Sequence, residues 1–118
     1  MRNLSERLLK FAITVIVFLR KIPNTEEYLI IKRQLIKSST SSGANYEESQ
    51  GASSKADFTN KVRISLKEMR ESNYWLKVID GTLQKDDLRP ECRILINEST
   101  ELKNILGAIC SKTERKQP

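Results

Sequence analysis

Arg63, Lys67, Arg70, Tyr74 and Lys77 recur at alternating four- and three-residue steps, the most suggestive chemistry in this sequence. On a helix that spacing gathers four cations and one aromatic ring on a single face. Such a stripe could follow a phosphate backbone, with the Tyr74 ring available to stack on an unpaired base. Arg33 and Lys37, earlier in the chain, extend it, and Arg2, Arg7, Lys10, Arg20 and Lys21 form a second, more scattered basic cluster. The competing reading is a solvated bundle face, with Glu68 and Glu71 diluting the field of the stripe.

The carboxylates suggest a different chemistry. Glu68 with Glu71 and Glu98 with Glu101 are both i, i+3 pairs, and Glu47 with Glu48 adds to them. Helical nucleotide pyrophosphatases hold Mg²⁺ with comparable all-carboxylate pairs. Here the helical register sets both pairs beside the apolar seam instead of in it, where Lys67, Arg70 or Lys103 would neutralise them. No phosphate-cradling glycine loop accompanies them. The chain has no histidine and only Cys92 and Cys110, which excludes zinc sites, Cys–His nucleophile pairs and histidine-containing di-iron sites. The two cysteines fall on one predicted helix, roughly 27 Å apart at 1.5 Å per residue, too far to bridge within it. They read as small buried apolar residues, which suits a reducing cytoplasm. The expectation is a non-catalytic protein without metal or cofactor.

These side chains need a scaffold, and 118 residues are enough for one helical core, a single domain over 1–118. Lys and Arg outnumber Asp and Glu by 21 to 15, and the resulting +6 leans only weakly toward a polyanionic partner. A first helix over about 3–21 carries Leu4, Leu8, Phe11, Val15, Phe18 and Ile22 on one stripe, and Leu9, Ile13, Ile16 and Val17 on a second. Two apolar sides on a helix in so short a chain predict that the second side meets another subunit. The uncharged run Phe11–Leu19 is far shorter than the ~20 residues that span a bilayer, and Glu6 and the following Arg-Lys-Ile-Pro oppose a secretion signal. No membrane association is expected.

Ile22-Pro23 ends that helix. Asn24 with Glu27 reads as a capping box opening a second helix over about 25–50. Ser54 with Asp57 caps a third over about 54–80, whose seam Phe58, Val62, Ser65, Met69, Ser72, Leu76, Ile79 keeps strict 4-3 spacing. Gly81 is placed as its left-handed stop. A fourth helix over about 87–112 tolerates Pro90 in its first turn and continues the spacing through Leu88, Cys92, Leu95, Ser99, Leu102, Leu106 and Ile109, with a frayed tail at 113–118. Short connections favour antiparallel neighbours. The fold class is therefore all-α, an antiparallel up-down-up-down four-helix bundle. The stretch Ser38–Ser54, rich in Ser and Gly, reads as linker by composition and as helix by economy, since a structureless connection that long is uncommon in a compact domain.

The strings "QLIKSSTSSGANYEES" and "SKADFTNKVRISLKEMRESNYWLKVI" settle that choice by resemblance. Gln34, Ser38, Thr40, Ser41, Gly43, Ala44, Asn45 and Glu48, then Ser54 to Phe58, Lys61, Ile64, Leu66 to Glu68, Glu71 and Tyr74 to Leu76, match the pattern of the four-helix bundle proteins encoded in 23S rRNA intervening sequences. The resemblance covers Leu8 to about Lys112. Ser42 and Tyr46 stand where that pattern has Ile, and Ser65 and Met69 where it has Ala. The resemblance implies that Ser38 to Glu48 are helical, leaving Gly51 to Ser53 as the turn, and that copies assemble as a homopentamer; the cysteine usage points to a cytoplasmic protein. A related bundle is the accessory protein of diversity-generating retroelements, which implies RNA or DNA binding through a basic surface. The alternative it implies is an interaction scaffold or accessory subunit, for example of a reverse transcriptase.

Overall fold

The computed structural model describes residues 3–115, which form four α-helices: α1 (Leu4–Leu19), α2 (Glu26–Ser49), α3 (Lys55–Thr82) and α4 (Arg89–Arg115), the last preceded by a 3-10 turn at Asp86–Leu88. Each helix packs on two others, α1 against α2 and α4, and α3 against α2 and α4, while the diagonal pairs make no such contact. The result is an antiparallel bundle 51 × 23 × 21 Å. Leu8, Val15, Phe18, Leu35, Val62, Met69, Leu76, Ile79, Leu102 and Leu106 are fully buried along its axis. These are the a/d positions of the sequence seams, so the period of the apolar residues dictates which faces meet.

The serine run is helical from Ser38 to Ser49, where α2 ends, and its small residues face neighbours. Ser42 Oγ donates to the Ser65 carbonyl (2.8 Å) while Ser65 Oγ donates to the Ser42 carbonyl (2.7 Å), and the two hydroxyls lie 3.1 Å apart. One layer along, Ser38 and Ser72 share a hydrogen bond of 2.8 Å. Hydroxyls this short let α2 and α3 approach closely while satisfying each other, and among the described residues no buried side-chain N or O lacks a partner. Gly43 faces α1, where a Cβ would make ordinary contact at 3.5 Å from Leu8 Cβ. Between α3 and α4, Asn73 Nδ2 donates to Ser99 Oγ (2.8 Å) and Thr100 Oγ1 (3.1 Å).

Three helix ends differ from expectation. Thr25, not Asn24, caps α2, its Oγ1 accepting from Tyr28 N at 3.2 Å. Asn24 is engaged elsewhere: Lys32 Nζ donates to its Oδ1 (2.7 Å) and to the Ile22 carbonyl (2.6 Å), closing the chain after α1. Gly81 does not stop α3, which continues to Thr82, and no glycine has positive φ among the described residues. The Arg89 guanidinium takes over the terminal carbonyls, donating to those of Asp80 and Leu83, so no left-handed residue is needed. The tail is helical to Arg115, not frayed from 113, since Thr113 Oγ1 bonds back to the Ile109 carbonyl (3.0 Å) and Glu114 pairs with Arg63. Residues 116–118 of the expected tail lie outside the described residues.

Candidate nucleic-acid interface

Burial of Val62, Ser65, Met69, Ser72, Leu76 and Ile79 turns the opposite side of α3 outward, and Arg63, Lys67, Arg70, Tyr74 and Lys77 are all exposed there. Arg63 and Arg70 lie on the edge of that face nearest α4. With Lys103, Asn104, Gly107, Ser111 and Glu114 of α4 they line a groove of about 660 Å³, floored by Leu66 and Cys110. Gly107 borders open space, where a Cβ would meet nothing within 4 Å. Among the described residues none pairs with Lys67, Arg70, Lys77 or Lys103. Four cations are thus held on two rigid helices without internal partners, which is what a phosphate backbone requires.

Arg63 is different. Its guanidinium donates to Glu114 and, at 2.8 Å, to Asn60 Oδ1, and the Glu114 carboxylate holds it above its already high pKa. Tyr74 is 59 % exposed and stands edge-on to Trp75, ring centroids 5.1 Å apart and planes 73° apart. The Trp75 indole is fixed in turn by donating to Glu71 Oε2 at 3.0 Å. Tyr74 therefore presents an open ring face on a braced support, a platform suited to stacking.

Arg33 and Lys37 are exposed on α2, but the groove is walled by α3 and α4 alone, so the two do not continue it. Lys103, which the sequence reading had assigned to neutralising the acidic pairs, takes that place. The signal was present: Lys103 directly follows the seam residue Leu102, so an antiparallel α4 must turn it toward the α3 flank.

The acidic pairs are not neutralised by Lys67, Arg70 or Lys103. Arg7 of α1 reaches Glu98 with both Nε (2.8 Å) and Nη2 (2.9 Å) and Glu101 with Nη2 (2.6 Å), because α1 packs on the other flank of α4. The two carboxylates raise the Arg7 pKa still further. A guanidinium between two carboxylates occupies the space a divalent cation would need. Lys21 is likewise held on Glu91 (3.1 Å), and Glu48 accepts from Lys61 (3.1 Å). Burial pushes the Cys92 thiol up to about 11 and raises that of Cys110; both are free and buried.

The second apolar stripe of α1 faces outward, with Leu9 61 %, Ile13 53 % and Val17 42 % exposed. No helix among the described residues is long and apolar enough to cross a membrane.

Against known proteins, residues 3–108 match the model of the family described as 23S rRNA-intervening sequence protein. The chain belongs to that family. A crystal structure from Bacteroides thetaiotaomicron, described as a protein with unknown function from the S23 ribosomal protein family, is 32 % identical to this chain. That likeness covers 92 % of this chain and 98 % of the other, with a TM-score of 0.81. No curated protein matches the chain. The match includes the serine-rich second half of α2, Ser38 to Ser49.

Proposed function

We propose that this member of the family is a non-catalytic, cytoplasmic protein that binds RNA or DNA through the α3–α4 groove. The supporting observation is the set of unpaired cations, of which Arg70 and Lys103 line that groove while Lys67 and Lys77, with the exposed Tyr74 ring, stand on the adjoining outer face of α3. From Arg63 to Lys77 the stripe runs about 21 Å at 1.5 Å rise per residue, long enough to contact several successive phosphates. The fixation of Glu98 and Glu101 on Arg7 speaks against a carboxylate-held metal and so for binding over catalysis.

Four phosphate contacts on a single strand give a slope of log K against log salt of about −2.8, a loss of about 50-fold between ~50 and ~200 mM salt. Fluorescence anisotropy with a labelled single-stranded RNA of mixed sequence reads this slope. Changing Arg63, Lys67 and Arg70 together to Glu should abolish binding while the circular dichroism spectrum stays helical. Wild-type protein that leaves the probe free at low salt refutes the reading.

A second reading rests on the outward face of α1. Leu9, Ile13 and Val17 form an exposed apolar strip that suits a protein contact, either with further copies of this chain, in the pentamer the family resemblance implies, or with a partner such as a reverse transcriptase. Light scattering decides for self-association. A monomer at micromolar concentration removes that contact, and loss of assembly in Ile13→Lys supports it.

A further inference from the structure

The α3–α4 groove contains one carboxylate among its cations. Glu114, on the last described turns of α4, pairs with Arg63, the residue at the end of the basic stripe. Arg63 and Glu114 are both exposed, at 50 % and 44 % of their side-chain surface, so the pair is hydrated and easily exchanged. Arg63 has a second tie in Asn60 Oδ1, which keeps the guanidinium in place when the carboxylate leaves. The other cations of the stripe and Lys103 have no such counter-charge among the described residues.

We propose that Glu114 is an internal competitor for the phosphate site at Arg63, so that the groove and the adjoining outer face of α3 together offer four free cations to a weakly charged ligand and a fifth only to a polyanion that displaces the carboxylate. This rests on the nucleic-acid reading above and adds its selectivity. A single phosphate gains little by exchanging one anion for another at Arg63. A strand already held by Lys67, Arg70, Lys77 and Lys103 presents its next phosphate at high local concentration, and Glu114 swings back into solvent. Binding at the end of the stripe is thereby restricted to ligands long enough to engage the rest of it.

The test is Glu114→Gln, which removes the competing charge and keeps the shape. Affinity for the labelled RNA should rise about 3- to 5-fold, the scale on which an exposed ion pair shifts an equilibrium. The salt slope should stay within about 0.7, one phosphate contact, of wild type, because a strand long enough to displace the carboxylate contacts Arg63 in both proteins. Glu26→Gln is the control, because it changes net charge equally at the first turn of α2, at the other end of the bundle. Tyr28, two residues on, bonds Thr82 (2.8 Å), and Thr82 lies about 28 Å along α3 from Arg63. That separation exceeds a Debye length of about 8 Å, so long-range attraction is screened there. In an Arg63→Gln background the Glu114→Gln gain should vanish. Wild-type binding with no gain in Glu114→Gln, a gain matched by Glu26→Gln, or a gain that survives Arg63→Gln overturns the competitor while leaving the groove in place. Absence of binding in both wild type and Glu114→Gln overturns the groove as well.

Discussion

Ser42 and Ser65, which the sequence resemblance sets against Ile and Ala of the family pattern, hold each other in this chain. Each hydroxyl donates to the other residue's carbonyl, at 2.8 and 2.7 Å, with both side chains fully buried. Ser65→Ala alone removes one of these bonds at a site water cannot reach, a loss of about 1 kcal/mol. Ser42→Ile alone adds three carbons where the helices are spaced for a hydroxymethyl, and overpacking of that kind costs about 1–3 kcal/mol. The double substitution installs the apolar pair of the family. It trades two buried hydroxyls for an isoleucine, whose burial contributes about 1.5–3 kcal/mol, and it frees the volume of the Ser65 hydroxyl.

The double variant should therefore be less destabilised than the sum of the singles by at least about 1 kcal/mol, with stability at or above that of wild type, as exchanging both partners for apolar groups allows. Urea unfolding followed by circular dichroism measures this, at one protein concentration so that any assembly contributes equally to all four proteins. Additivity within about 0.3 kcal/mol would refute the reasoning, because the two serines would then be independent and not a matched layer.

Gly43→Ala should stabilise the protein by about 0.5–1 kcal/mol: the new Cβ lies at an ordinary 3.5 Å from Leu8 Cβ, and alanine outranks glycine within a helix, so a loss of stability in urea unfolding would contradict the packing. Arg89→Met keeps the aliphatic stem but strips the terminal carbonyls of α3 of their donor and leaves the Asp80 carboxylate only Arg93, so the melting temperature should fall by a few degrees, and Arg89→Lys should recover only part of it because an ammonium lacks the fork. Cys92, whose thiol is pushed up from 9.0 to about 11 by burial, should resist iodoacetamide at pH 8 in the folded protein. Its folded pKa lies above the unfolded one, so the folded state retains a proton the unfolded state loses. Stability should accordingly be complete below pH 9 and decline as pH rises toward 11, and a Cys92→Ala protein with the same alkaline decline would contradict this.

The bundle was legible in the sequence because a 3.6-residue period over four long segments leaves little freedom in which faces meet. Phe11, Val62 and Leu102 are buried where their spacing requires. The helix ends were less legible, because a cap depends on which distant donor arrives. Asn24 looks like an N-cap until Lys32 claims its oxygen, and Gly81 looks like a stop until Arg89, eight residues later, supplies the hydrogen bonds a left-handed turn would have made. The groove was half legible. Its α3 wall follows from the stripe on one helix, whereas Lys103 and Glu114 belong to it only because α4 runs antiparallel to α3, and charge partners depend on which flank of a helix each neighbour covers. For the same reason Arg7, ninety-one residues away in sequence, neutralises Glu98, and nearby lysines do not. Charges on a bundle surface are assigned to one another by helix order. A basic stripe read from one helix should thus be tested against the flanks of both neighbouring helices before it is taken as free, and by that test Lys67, Arg70 and Lys77 are unpaired while Arg63 is held by Glu114.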